Sequence, residues 1–230
     1  MATPGTATRV ALLAGATGLI GRSLLPLLLA DARYSAVHLL LRRAGVGIPG
    51  IAPHAKLTLH TVDFSQLPQP FPVVSDVFIA LGTTIKVAGS EAAFRQVDFD
   101  FVVNTARAAR NAGATRLAVV SALGADAQSR VFYNRVKGDM EAAVSALGYG
   151  SVVLAQPSLL VGDRAALGQP VRAGEVWATR LLGPFMGLVP RSVRPIRAGN
   201  VAKAMLAASF EAAPGVRLLS SAQMQGSGQP

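Results

Sequence analysis

The chain has 230 residues, 51% of them hydrophobic and only 15% charged. That suits one well-buried α/β domain, is short for two, and excludes a disordered chain. There is no cysteine, so disulfides and thiolate metal sites are excluded, and the formal net charge is +10.

Residues Met1 to Thr8 are small and polar, with no charged stretch leading into an apolar core. No signal peptide is expected from them, and a cytoplasmic protein follows by default. An apolar run then predicts a strand over Arg9–Ala14, and it flows into Gly15-Ala-Thr17-Gly18-Leu19-Ile20-Gly21-Arg22 and a leucine-rich helix predicted over Leu19–Ala32. Strand, glycine-rich turn and helix in this order form a dinucleotide-binding fingerprint. Gly15 allows the tight turn off the strand, Gly18 lets the backbone approach a pyrophosphate, and Gly21 lets the helix pack on the sheet. The helix N-terminus offers N–H groups and a positive dipole end to phosphates. The spacing is G-x-x-G-x-x-G, not the G-x-G-x-x-G of ordinary dinucleotide dehydrogenases.

The next strand, predicted over Ala36–Leu41, ends at Arg42-Arg43 with no carboxylate nearby. An acid at that point grips the ribose 2′-hydroxyl of NAD, whereas arginine accommodates the 2′-phosphate of NADP. The expected cofactor is therefore NADP(H), with NAD(H) as the alternative. Arg22, in the first turn of the glycine-loop helix, opposes the helix dipole and reads either as a third phosphate contact or as a solvated side chain. The Gly/Pro-rich stretch Ala44–Ala55 reads as a loop. Further strands are predicted over Leu57–Val62 and Asp76–Ala80, and Leu81-Gly82-Thr83-Thr84 follows the second of them. Gly82 permits close approach to a ribose, and the threonine hydroxyls can bond ribose or phosphate.

A long helix is predicted over Ser90–Ala112, with Asp98 and Asp100 serving its dipole and Asn104 as an ordinary helix-face residue. The strand predicted over Arg116–Val120 ends at Ser121, and the helix predicted over Arg130–Leu147 carries Tyr133 and Lys137. Residues four apart share a helix face, so both can point into one cleft. A phenol is a poor base at neutral pH, and a neighbouring ammonium favours its phenolate. Tyr133 can then exchange a proton with a substrate hydroxyl or carbonyl, while Ser121 hydrogen-bonds the same oxygen. Gly113 and Gly148 fall where helix C-caps belong. A strand over Ser151–Ala155, a helix over Gly199–Glu211 and a last strand near Val216–Leu219 complete the reading, with residues 1–8 and 223–230 as flexible tails.

Alternating apolar strands and helices predict a doubly wound, mostly parallel sheet of the Rossmann class in a single domain spanning 1–230. Residues 158–197 form a substrate-side segment in which Leu167, Trp177, Leu181, Phe185 and Met186 lie among arginines. That composition fits a small apolar carbonyl compound, with or without an acidic group, as substrate. His38, His54 and His60 show no metal-ligand spacing, and no apolar helix candidate approaches the roughly 20 residues a bilayer needs. The arginines are dispersed singly, with no basic run or aromatic-interleaved basic strand, which argues against nucleic acid despite the charge.

These segments together resemble the atypical short-chain dehydrogenase/reductases, close to the Tat-interacting oxidoreductase group and its small bacterial relatives. The matching stretches are Gly15–Arg22, Leu41-Arg-Arg43, Val62-Asp-Phe64, Ala80–Thr84, Val97–Asp100, Ser121 to Lys137, Gln156–Leu160 and Gly162–Arg164. The resemblance implies an oxidoreductase with Ser121, Tyr133 and Lys137 as its catalytic group. It adds Asp63 as an adenine contact beside Phe64, where a plain turn cap is the other reading, and Pro157-Ser158-Leu159 as the segment packing on nicotinamide. It also admits a non-catalytic NADP(H)-binding regulator or assembly factor. Two positions depart from the pattern: Ala122 stands where many relatives carry a second serine, and Gln156 where many carry arginine. Relatives often pair through the helices predicted over Ser90–Ala112 and Arg130–Leu147, and a monomer or a weak homodimer both fit.

Overall fold

The structure, a computed structural model, describes residues 8–43, 53–161 and 190–226. Most of the segment 158–197, with Leu167, Trp177, Leu181, Phe185 and Met186, lies outside the described residues. So do residues 1–7 and 227–230 of the expected tails and 44–52 of the expected loop.

Seven strands form one sheet: β1 (Arg9–Ala14), β2 (Tyr34–Leu41), β3 (Leu57–Thr61), β4 (Asp76–Ile79), β5 (Arg116–Val120), β6 (Ser151–Gln156) and, last in the chain, a strand over Gly215–Ser220. Their order is β3-β2-β1-β4-β5-β6 followed by that last strand, and every pairing is parallel. A parallel sheet needs crossovers, and these cover both faces. One face packs against α1 (Leu19–Ala30) and a helix over Ala198–Glu211, burying Leu24, Leu25, Leu28, Val201 and Met205. The other packs against α4 (Phe101–Asn111) and α5 (Phe132–Ser145), burying Val102, Ala106, Met140 and Val144. The strand order reverses between β1 and β4, which opens a crevice at the carboxyl ends of these strands, where ligands bind in folds of this kind.

A short α2 (Ile85–Ala88) ends at Gly89 in the left-handed region, and the helix expected over Ser90–Ala112 then runs without a break from Glu91 to Asn111 as α3 (Glu91–Arg95), a π-helical turn over Gln96–Asp100, and α4. Ser90 caps α3 by accepting from the Ala93 N–H. A short parallel pair, β7 (Leu160–Val161) with β8 (Ile196–Arg197), lies beyond β6, followed by α6 (Ala198–Glu211), β9 (Gly215–Ser220) and α7 (Ser221–Gly226). The expected tail from 223 is thus corrected over Gln223–Gly226. Composition suggested disorder, but Met224 is buried in the core face that α6 covers.

At the amino ends of the strands, Asp76 is fully buried between Arg116 at 3.1 Å and Arg9 at 3.7 Å. Arg9 and Arg33 also lie over the Phe210 ring. Part of the positive charge is therefore used in packing.

Candidate functional site

The glycine loop is fixed by backbone contact. Gly15 has φ +91°, and a Cβ there would lie 2.5 Å from the Ala80 carbonyl group. A Cβ on Gly21 would lie 2.1 Å from the Gly15 oxygen. These two glycines are required by the protein itself. Gly18 is different: its nearest neighbours would stand at 3.5 Å and 3.8 Å, ordinary contact distances. Among the described residues, no close contact requires the bare backbone there. Gly18 is the N-cap of α1 and supplies no side-chain cap, so the first-turn N–H groups of Leu19 and Ile20 face the crevice without one. A diphosphate fits that cradle on both counts, with N–H groups to meet its oxygens and room where a Cβ would intrude.

A cleft of about 440 Å³ opens from this loop. It is lined by Gly18, Leu19 and Ile20; by Leu81, Gly82 and Thr83 after β4; by Ser121 after β5; by Tyr133 and Lys137 on α5; and by Pro157, Ser158 and Leu159 after β6. With Asp98, residues from six separate stretches of chain therefore meet at one place. Val120, Ala122, Leu123 and Leu160 add apolar wall. Tyr133 is half-buried, its ring 5.2 Å from that of Phe94. The loop before α5 is clamped to the helix: the Asp126 N–H donates to the Asn134 carbonyl, and a Cβ on Gly138 would lie 2.1 Å from the Ala127 nitrogen. Ser121 is buried, and its hydroxyl has no hydrogen-bond partner among the described residues.

Asp98 is the site residue that sequence reasoning missed. In place of serving a helix dipole at the surface, it is 1% exposed on the π turn, lines the cleft and lies 2.6 Å from Lys137 Nζ. Its other oxygen accepts the Thr83 N–H at 2.8 Å. The signal that could have found it is the pairing of a lone lysine in an apolar cleft with the nearest carboxylate. The π turn that aims it is invisible to a helical periodicity.

The remaining expected residues are spread along the carboxyl edge. Arg42 and Arg43 follow β2 and are exposed, and Arg22 donates to the Thr17 carbonyl at 3.3 Å across the glycine loop. Asp63 is exposed and accepts from the Ser65 hydroxyl and N–H, which hold its carboxyl below the usual range. Phe64 is buried against Phe101. The Thr84 hydroxyl caps α2 through the Val87 N–H. The Ser158 hydroxyl donates to the Arg194 carbonyl and accepts from Ser221, so it ties β6 to the C-terminal segment. Gln156, where many relatives carry arginine, donates to Glu141 at 2.9 Å. Among the described residues there is no helix long and apolar enough to cross a membrane and no cluster of three metal-ligating side chains.

Residues 15–157 match a protein-family model described as NAD(P)H-binding. The mitochondrial protein fmp52 of Emericella nidulans is 36% identical over 157 residues, covering 66% of this chain and 67% of its own length. The mitochondrial protein fmp52-1 of Aspergillus terreus is 32% identical over 211 residues, 88% of each chain. These names overturn the cytoplasmic expectation, which rested only on the absence of targeting signals in the sequence. Among solved structures, MoeE5 in complex with UDP-glucose and NAD aligns with TM-score 0.67 and 18% identity, covering 91% of this chain and 74% of that one. The oxidoreductase ylbE from Lactococcus lactis aligns with TM-score 0.61 and 15% identity, covering 95% of both. At such identities the likeness is one of fold.

Proposed function

Because the chain belongs to the NAD(P)H-binding short-chain dehydrogenase/reductases, in the atypical group that includes the Fmp52 proteins, we propose that it is an NADP(H)-dependent oxidoreductase acting on a small carbonyl or alcohol. The observation that carries this reading is the Ser121 hydroxyl, buried in the cleft with Tyr133 and Lys137 and unpartnered. A buried polar group left unpaired costs about 1–3 kcal/mol, which a ligand oxygen would recover. The nicotinamide, when bound, supplies or accepts the hydride. Tyr133 gives a proton to the substrate oxygen in reduction and takes it back in oxidation, and Ser121 donates a hydrogen bond to that oxygen. Leu81, Leu123, Leu159 and Leu160 line the cleft and favour an apolar substrate.

A panel of aldehydes and ketones with NADPH tests this reading. Turnover of at least one apolar carbonyl is expected. Ser121→Ala should lower kcat/KM for it by about tenfold or more, since a hydrogen bond to a developing charge is worth about 1.5–3 kcal/mol. NADPH binding without turnover of any member would favour a non-catalytic regulator instead.

Cofactor choice rests on Arg42 and Arg43, whose guanidinium groups stand exposed beyond β2 with no carboxylate in that turn. One well-formed contact to a 2′-phosphate gives about a tenfold preference for NADPH over NADH. Replacing both arginines with alanine should weaken NADPH binding, leave NADH nearly unchanged and reduce the salt dependence of the ratio. Equal affinities in the unmodified protein would remove the NADP assignment.

A further inference from the structure

One wall of the cleft is tied to the C-terminal helix. Pro157, Ser158, Leu159 and Leu160 line the cleft, and the Leu123 N–H donates to the Pro157 carbonyl at 2.9 Å. This wall therefore stands beside Ser121, at the reacting end. The Ser158 hydroxyl is engaged within the protein: it accepts from the Ser221 hydroxyl at 2.9 Å and donates to the Arg194 carbonyl. Each hydroxyl has one proton, so the chain runs one way, from Ser221 through Ser158 to that carbonyl. The Gln225 amide donates to the same carbonyl at 3.0 Å and to the Arg191 carbonyl at 2.9 Å. The Ile196 N–H donates to the Leu159 carbonyl at 2.9 Å, and Leu160–Val161 pairs with Ile196–Arg197. Two segments distant in sequence are thus joined to each other, and α7 holds both.

The sequence of α7 places it there. β9 runs beside β6 with Ser220 opposite Gln156, so Ser221 emerges at the same sheet edge as Ser158. Ser220-Ser221-Ala222-Gln223 is a capping box: the Gln223 side chain accepts the Ser220 N–H at 2.8 Å, and the Ser220 hydroxyl accepts the Gln223 N–H at 3.4 Å. Six residues are too few for an isolated helix to persist in water. Burial of Met224 anchors this one, and Ser221 is fully buried with it. A hydroxyl at that depth is costly without a partner, and Ser158 is the partner.

We propose that Ser221 and Gln225 are positioning residues of the site: acting through Ser158 and the Arg194 carbonyl, α7 fixes the wall on which the nicotinamide ring of the cofactor packs. Their hydrogen bonds go to this wall and not to the glycine loop or to Arg42 and Arg43, so the two ends of the cofactor should respond differently. The proposal rests on the NADP(H) reading for its ligand, but its test reads binding and does not require turnover.

The test is calorimetric titration of Ser221→Ala and Gln225→Ala with NADPH and with 2′-phospho-ADP-ribose, the same molecule without nicotinamide. Each variant should weaken NADPH by about fivefold, the share of one ordinary hydrogen bond, and leave 2′-phospho-ADP-ribose essentially unchanged. The selective loss is the signature, because a merely destabilised fold would change both affinities alike or neither. In the unliganded variants the Ile196 N–H, which bridges the two segments, should also exchange with solvent several times faster. Equal effects on the two ligands, or no effect in a folded variant, overturn the proposal. Should Ser221→Ala not fold, Gln225→Ala, a change at a half-buried side chain, still decides. Failure of the carbonyl panel would count against the oxidoreductase reading alone and leave these binding results standing. Binding of neither molecule by the unmodified protein would overturn both.

Discussion

Tyr133→Phe is expected to lower kcat by about 10²–10⁴-fold, the usual share of a positioned proton donor, while NADPH affinity stays essentially unchanged. The substitution removes one oxygen and keeps the ring that packs 5.2 Å from Phe94. Among the described residues, none is hydrogen-bonded to that oxygen. Lys137 is held by Asp98, and α5 is held by the contact of Gly138 with the Ala127 backbone and by the bond from the Asp126 N–H to the Asn134 carbonyl. The loss should therefore appear in kcat, the signature of an interaction made in the transition state. Single-turnover rates with the best substrate of the carbonyl panel are the measurement. A rate close to that of the unmodified protein would move the proton transfer to another group, of which Ser121 is the nearest in role.

The halves of this fold were not equally legible. β1, the glycine loop and α1 could be read residue by residue because each signal is local: an apolar run, glycines with a steric reason, and a helix that follows at once. The structure gives Arg9–Ala14 and a helix starting at Leu19, as expected, and the helix stops two residues early, at Ala30. The Tyr133–Lys137 spacing was legible for the same reason, since four residues on a helix face are a local fact. Asp98 was not. Its partners, Lys137 and Thr83, reach it only through the tertiary fold, and the π turn that aims it breaks the period used to read helices. Its surroundings in sequence, Val97-Asp98-Phe99-Asp100, show an acid near the start of a long helical pattern, for which the dipole reading is the local answer.

The C-terminal end failed through composition. Gln223 to Pro230 is rich in glycine, glutamine and serine, yet Met224 is 1% exposed and Ser221 fully buried. Ser221 donates to Ser158, which in turn donates to the Arg194 carbonyl, so the segment is held by partners far away in the chain. Ser158 illustrates the same limit from the other side. The family resemblance places it beside a cofactor, but its hydroxyl is used within the protein, donating to the Arg194 carbonyl and accepting from Ser221.

The buried ion pair also sets a stability expectation that is independent of any ligand. Lys137 is 3% exposed and Asp98 1% exposed, so Lys137→Met leaves a carboxylate buried with, among the described residues, the Thr83 N–H as its hydrogen-bond donor. Breaking a buried pair from one side costs about 3–5 kcal/mol, because the surviving charge keeps its desolvation penalty and loses its partner. For a chain of this size that corresponds to a fall in melting temperature of about 6–20 °C. Adding Asp98→Asn to Lys137→Met removes the stranded charge, and a neutral pair in place of a buried ionic one is often neutral for stability. The double variant should therefore melt well above Lys137→Met and close to the unmodified protein, although it lacks the same lysine. Thermal unfolding of the three proteins at neutral pH is the measurement. If Lys137→Met melts with the unmodified protein at neutral pH, water reaches Asp98 and the pair is not buried in solution.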